Sequence, residues 1–535
     1  MLQISELRLP VNHSEEDLRR AVAGLLGIKT EKLEEFRIKQ RAVDARKRNE
    51  VQFCYTLAVK VPDEGKALAR SSKAGRVELE KDERYLGVTP AGTPGKVEKV
   101  VVVGAGPCGL FAALLLARAG VKPLLLERGK AAGPRARDVT GFWRRGLEFD
   151  ANSNVQFGEG GAGTFSDGKL YTQIRDREHR IPWILQELVK AGAPEDVLVK
   201  SRPHIGTDRL IKVVRTMREE IIALGGEVRF ETRVADVILE AGAMRAVVTQ
   251  TGEVIEGERF IFAIGHSSRD TFEALHQSGV PFEAKPFSVG VRIEHPQAMM
   301  DRALFGRSAG HPLLGSAAYK FAAHCATGRT AYSFCMCPGG LVVASNSEPL
   351  MVVTNGMSSY KREESNANAG FMVEIKPEDF PGESPLRGIE FQRALERQAF
   401  RLGGSNYHAP AQLLGDFLAD RASVGPGQVK PSYEPGVKWT DLREILPEVV
   451  ARTLKEAAPL VEKQVRGFSL ADAVMTGMET RSSSPVRIPR DAETLECVGV
   501  ANFYPAGEGA GYAGGIISAA VDGLRVAERV LAART

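Results

Sequence analysis

Cysteine, tryptophan and net charge are all scarce in these 535 residues. Six cysteines (Cys54, Cys108, Cys325, Cys335, Cys337 and Cys497) are too few and too scattered for a disulfide framework, which points to a reducing, cytoplasmic setting. A net charge of +4 over this length excludes a global attraction to nucleic acid or an anionic membrane, so such a partner would need a local patch. The N-terminus, MLQISELRLP, lacks the basic-then-apolar order of a secretory signal. One stretch, Val100–Ala117, is apolar enough to imitate a membrane span. It begins, however, with Gly104, Gly106, Pro107 and Gly109, a cluster at odds with a spanning helix of about 20 residues. A buried strand, a glycine turn and a buried helix explain it better. Internal repeats are absent. With 43% apolar and 26% charged residues, the rest is the mixture of a globular protein of two to four domains.

Residues 1–85 read as a small α+β module. Leu2, Ile4, Leu7 and Leu9 suggest a strand, and Ser14 with Glu15, Glu16 and Asp17 a helix N-cap. Leu18, Val22, Leu25 and Leu26 follow at helical spacing, and two more strands lie over 36–43 and 51–59. The order β-α-β-β predicts a ferredoxin-like type. A Gly/Pro/Thr-rich linker covers 86–98. Residues 99–270 and 481–535 form two parts of one nucleotide-binding domain, with a substrate or cap domain between them at 271–480. The polar segment 355–388 reads as a long surface loop.

The strongest chemical signal is VVVVGAGPCGL (Val100–Leu110). Four valines suit a fully buried parallel strand. Gly104 permits the tight turn, Gly106 lets backbone approach a pyrophosphate, and Gly109 lets helix and strand pack closely. Pro107 and Cys108 open the helix, whose N-terminal amides would face phosphates. Glu127, followed by Arg128, falls 18 residues after Gly109, where an acid binds ribose hydroxyls. The far C-terminus carries a second glycine-rich turn running into a helix, FYPAGEGAGYAGGI (Phe503–Ile516). It resembles the C-terminal FAD motif of the glutathione-reductase superfamily. That resemblance assigns cofactor contacts to Gly507, Glu508, Gly514, Gly515 and Ile516, with Glu508 where the motif usually has Asp. Between the two turns, Phe260–Asp270 resembles that superfamily's hinge strand, which implies contacts at Gly265 and at Val234.

Four further features leave alternatives open. NSNVQFGEGGAGTFSDGKLYT (Asn152–Thr172) nearly matches a phosphate-binding P-loop, but Leu170 stands where Ser or Thr would hold magnesium. It reads better as a loop around the flavin through Gly160, Gly161 and Ala162, or else as a structural lid. Cys335 and Cys337 share one face of a strand: small apolar core residues, redox thiols, or part of a metal cluster with His324, although the spacing fits no common zinc site. Arg292, Glu294 and His295 alternate with apolar residues, as on a pocket wall or an exposed sheet face. Arg481 or Arg487 neutralises ligand charge or is an ordinary loop arginine. In the N-terminal module Arg37, Lys39, Arg41, Arg46, Lys47 and Arg48 form a basic run that suits RNA, or a solvated strand and turn.

Together the motifs DARKRNE, SNVQFGEGGAGTFSDGKLYT, FCMCPGG, TGMETRSSSPVRIPRD and YPAGEGAGYAGGI resemble a bacterial family of FAD-dependent dehydrogenases of undefined substrate. Its members are two-dinucleotide-binding-domain flavoproteins. The resemblance implies an α/β fold: a Rossmann-like FAD-binding domain, an inserted α+β cap and the small N-terminal module. It implies FAD and hydride transfer to or from a small molecule; with no second G-x-G-x-x-G for a separate nicotinamide domain, either NAD(P)H is a transient reductant using the same flavin face in turn, or the substrate itself reduces the flavin. Cap residues of 280–340 would hold the donor carbon. Glu159, Lys169 and His295 are the candidate acids and bases, with Cys335 and Cys337 if thiols take part, and no metal. Two other classes remain: a flavoprotein acting on RNA through the basic run, and a flavin-binding partner protein without turnover. Oligomeric state is not legible.

Overall fold

The computed structural model describes residues 1–71, 75–81, 84, 85, 87 and 99–532. The expected linker at 86–98 therefore lies almost wholly outside the described residues. Val100–Val103, buried on both faces, is the middle strand of a five-stranded parallel sheet. Its order is Phe503–Pro505, Arg259–Phe262, Val100–Val103, Leu124–Leu126, Glu227–Arg229. The C-terminal strand thus returns some 400 residues later to the edge of the sheet that the glycine turn began. Helices Pro107–Arg118, Thr207–Ala223 and Ile516–Ala532 cover one face with a continuous apolar core. A three-stranded antiparallel sheet (Val234–Glu240, Ala243–Thr249, Val254–Glu256) contributes to the core of the other.

The middle of the chain builds a seven-stranded sheet in the order Ala322–His324, Thr330–Cys337, Asn366–Ile375, Phe287–Pro296, Val474–Glu479, Ala409–Leu413, Val437–Trp439. Helices Arg387–Leu402 and Glu448–Glu462 pack on it. The expected surface loop at 355–388 is corrected here. Asn366–Ile375 is a buried inner strand paired on both sides, and Thr354–Met357 is a strand as well. NANAGFMV is buried at every position because both of its faces are covered, and its asparagines find partners inside.

The N-terminal module has the elements Leu2–Pro10, Glu15–Leu26, Glu35–Asp44, Gln52–Lys60, Glu64–Ser71 and Val77–Leu79. The expected β-α-β-β order is extended by a helix and a short strand. The sheet is antiparallel, with the first strand between the third and the fourth. The capping box at Ser14 and Asp17 forms as the sequence suggests. The module pairs with the nucleotide domain through Arg41 and Val199 (N–O 2.7 Å). It reaches the cap where the Arg48 guanidinium donates to the Arg302 carbonyl.

Candidate active site

A cavity of about 520 Å³ lies between the parallel sheet and the cap sheet. Its nucleotide side is mostly backbone. Gly104 has φ 102°, and a Cβ there would lie 2.4 Å from the Ala263 carbonyl oxygen. Gly106 caps the Pro107–Arg118 helix without any side-chain hydrogen bond, so the first-turn amides are open to a ligand. Gly109 does not line the cavity. A Cβ there would fall 1.9 Å from the Gly104 oxygen, so its role is to seat helix on strand. The buried Glu127 carboxylate lines the cavity and accepts from the amides of Ala105, Gly129 and Gly158 at 2.8–2.9 Å. Arg128 pairs with Asp270 and stacks on Phe157. Gly161, Ala162, Val234 and Gly265 line the cavity, whereas Gly160 is turned to the Ala105 carbonyl. From the C-terminus Glu508, Gly514, Gly515 and Ile516 line it; Gly507 lies behind, its amide donating to Asp522.

The facing side carries charged and sulfur side chains. Lys169 Nζ lies 2.9 Å from Asp167, 3.9 Å from the Cys335 sulfur and 3.8 Å from that of Cys337. Burial disfavours its charge, but Asp167 and the two sulfurs outweigh it and hold Lys169 protonated above its ordinary range. Asp167 also takes a bidentate pair from Arg362 (2.6 and 2.8 Å). Cys335 lines the cavity and Cys337 lies beneath it. Behind them Arg292 is fully buried, holding Glu479, the Asn355 and Asn368 amides and the Cys335 carbonyl. Arg292 thus belongs neither to a pocket wall nor to an exposed face. Burial pushes Glu479 up to about 7 against the pull of Arg292. Arg481 lines the cavity, paired with Glu396 at 2.8 Å, and Glu396 is shared with Arg269. Arg487 instead lies outside the cavity, over Tyr512.

Two expected acid–base residues need correction. His295 is fully buried away from the cavity. Its Nε2 is 2.7 Å from the Phe468 carbonyl, and burial lowers its pKa to about 4, so it is a neutral core histidine. Glu159, 1% exposed, accepts from the Ala132 amide at the start of the preceding helix, Ala132–Arg145, and sits near Arg218. It also stays off the cavity. Sequence reasoning missed the fully buried Arg135. Its guanidinium donates to the carbonyls of Asn154, Val155, Glu159 and Gly161 and so fixes the glycine-rich loop. It also missed His266, held neutral by burial at about 3, and Tyr319, a cavity residue whose hydroxyl is buried with no hydrogen-bond partner. No local pattern marks any of the three.

Residues 98–142 match the model of an FAD binding domain, and 286–482 that of an FAD-dependent protein, C-terminal domain-like. Residues 1–60 match a domain of unknown function. A Clostridium beijerinckii protein described as uncharacterized is 45% identical over 531 residues, 99% of this chain and 98% of its own. The chain belongs to this FAD-dependent protein family. Tetracenomycin B2 monooxygenase-dioxygenase of Streptomyces olivaceus is 26% identical over 176 residues, covering 29% of this chain and 30% of its own. Among solved structures, E. coli quinol fumarate reductase is 14% identical with a TM-score of 0.37, over 82% of this chain and 71% of that one. A geranylgeranyl bacteriochlorophyll reductase-like protein of Thermoplasma acidophilum is 13% identical with a TM-score of 0.35, over 82% and 79%. Within the family pattern, the FAD-binding match covers the first glycine turn and Glu127. The C-terminal match covers Arg292, Cys335, Cys337, Glu479 and Arg481, and stops before Glu508.

The basic run has local partners: Arg37 and Lys39 pair with Glu80, Arg46 with Asp44 and Lys47 with Glu50. Among the described residues no three His, Cys, Asp or Glu side chains stand together as a metal would require, and no helix is long and apolar enough to cross a membrane.

Proposed function

We propose that the cavity holds FAD, and that the protein transfers a hydride between it and a small molecule bound against the cap. One observation carries this reading: two bare glycine turns, at Gly104–Gly109 and Gly514–Gly515, some 400 residues apart, open onto one cavity. The residues fit the group. The Gly106 helix start has no side-chain cap, and a Cβ at Gly265 or Gly515 would meet nothing within 4 Å, so backbone there is left bare. The volume lies in the usual range for a cofactor site. The amides of Gly106, Cys108 and Ala162, which line the cavity, would hold the pyrophosphate and Glu127 the ribose. Bound there, FAD supplies two-electron chemistry.

The chain's own groups orient and compensate. The Ile516–Ala532 helix turns its positive end to the cavity, where it stabilises negative charge. Lys169 stays protonated and so serves as a donor rather than a base. Glu508, which burial pushes up to about 7, can hold or release a proton near neutrality. NAD(P)H, if it is the reductant, would use the same cavity in turn. The match to a monooxygenase-dioxygenase favours oxygenation as the second reading.

The test is a visible spectrum followed by anaerobic NADH and then NADPH. Bands at about 370 and 450 nm with FAD released on denaturation are expected. Bleaching by a nicotinamide, with oxygen consumed in later turnover, would favour the oxygenase. A yellow protein that neither nicotinamide bleaches supports a dehydrogenase reduced by its own substrate. A colourless protein that takes up no FAD overturns the proposal.

A further inference from the structure

We infer that Cys335 is a thiolate on the cavity wall, paired to Lys169, and a nucleophilic site for an electron-poor carbon centre, such as a conjugated enone, entering the cavity. The first argument is placement. The strand Thr330–Cys337 carries a register shift between Phe334 and Cys337, and Cys335 has φ 39°, outside regular strand geometry. The bulge turns Cys335 to the cavity, half-buried, while Cys337 stays fully buried behind it. Exposed Tyr171 and Lys320 line the same cavity and mark its way out to solvent.

The second argument is charge. Lys169 and Arg292 stand by the sulfur pair and Arg362 lies behind Asp167, three cations against the carboxylates of Asp167 and Glu479. Glu508, the next acid on the cavity, is offset by Lys285. Burial pushes both glutamates up to about 7, so at least one positive charge is left over, and Lys169, which touches both sulfurs, carries it to them. One thiolate closes the balance. Cys335 takes that role: the Cys337 thiol is spent on the Cys335 carbonyl oxygen at 3.2 Å, while Lys169 and Arg292 hold the cavity-facing Cys335 well below an ordinary thiol and Cys337 is pushed up. Cys325, also half-buried, has no such cation, and burial raises it.

The covalent step balances without an added oxidant. The Cys335 sulfur pair forms a bond to the β-carbon of the enone, the π pair passes to the carbonyl oxygen, and a proton from the Lys169 ammonium or from water completes the adduct. With iodoacetamide the sulfur bonds to the methylene carbon and iodide leaves with its electron pair.

The experiment alkylates the protein as purified, with its flavin, using iodoacetamide from pH 5 to 9, and resolves each cysteine by peptide mass mapping. Cys335 is expected to react about tenfold faster than Cys54 and Cys325 at pH 6, with its midpoint at least about one pH unit below theirs. Lys169→Met is expected to raise that midpoint by about a unit, and Lys169→Arg to keep it low. Cys335 reacting no faster than the other two at pH 6, or a Lys169→Met profile that overlays wild type, overturns the inference. The wild-type profile decides even if Lys169→Met misfolds. The site shares its cavity with the flavin reading but rests on Lys169 and the bulge. Failed alkylation in a yellow protein sinks only this inference, and brisk alkylation in a protein without a flavin band sinks only that reading.

Discussion

The nucleotide wall of the cavity offers backbone from Gly104, Gly106, Gly161, Gly265, Gly514 and Gly515, whereas the cap wall offers Lys169, Cys335 and Arg481, backed by Arg292, Glu479 and Glu396. The first wall presents partial charges already fixed in direction by strands and helix starts, at little cost in desolvated charge. The second wall buries full charges, each of which must find a counter-charge inside the protein. The Arg269–Glu396–Arg481 group shows the consequence. Burial pushes Glu396 up, but the two guanidinium groups outweigh it and hold the carboxyl well below its usual range. One wall is therefore sensitive to volume and the other to charge.

The largest expected effect tests the first half of that contrast. Gly109→Ala places a Cβ 1.9 Å from the Gly104 carbonyl oxygen, a backbone atom that cannot swing aside as the end of a side chain could. A loss above about 4 kcal/mol is expected, seen as little folded protein and no flavin band. Gly514→Ala is the control, since the nearest atom to its Cβ is a Glu508 oxygen at 3.8 Å. It should keep the fold and lose only flavin occupancy; equal thermal stability in the two variants would break the volume argument.

Glu396→Gln comes next. It keeps shape and removes the charge that Arg269 and Arg481 share, leaving Arg481 without a carboxylate partner. The expected loss is about 3–5 kcal/mol in denaturant unfolding. Its pH sign is set by the depressed native value: the stabilisation is full above the ordinary carboxylate value of about 4.3 and is lost as pH falls through the native one. A variant as stable as wild type at pH 7 would mean that the cap wall does not depend on charge balance.

The same contrast explains what could be read from the sequence. The backbone wall follows from local spacing: the Gly104–Gly109 turn, the Glu127 acid and the Gly514–Ile516 helix start all line or support the cavity, because glycines at set offsets can do little else. The cap wall is assembled from segments scattered between Asp167 and Arg481, and apart from Asp167 with Lys169 each of its ion pairs joins residues far apart in the chain. Polarity misled as well. Arg135 sits in an unremarkable helical stretch, yet four carbonyls converge on it. His295 looked chemical and proved to be core, because its ring packs on Phe468 behind the central cap strand. Asn366–Gly370 looked like loop because small polar residues suit turns, but two neighbouring strands supply the pairing that solvent would otherwise give.

The smallest effect lies where the walls meet. Burial pushes Glu508 up to about 7, only partly opposed by Lys285 and by the Gly515 amide. A raised carboxyl makes the native state hold a proton that the unfolded chain has already released. Its contribution is therefore unchanged below about pH 4.5, turns progressively unfavourable as pH rises to about 7, and is constant above that. In FAD-free protein, Glu508→Gln should match wild type at pH 4.5 and become the more stable of the two by pH 8. The difference is at most about 3 kcal/mol, and less where cavity water screens the group. Melting temperature measured across that range gives the slope directly. Parallel slopes would mean that water in the cavity solvates Glu508 as bulk does. The boundary between a backbone wall and a charged wall would then run on the cap side of Glu508, at Lys169.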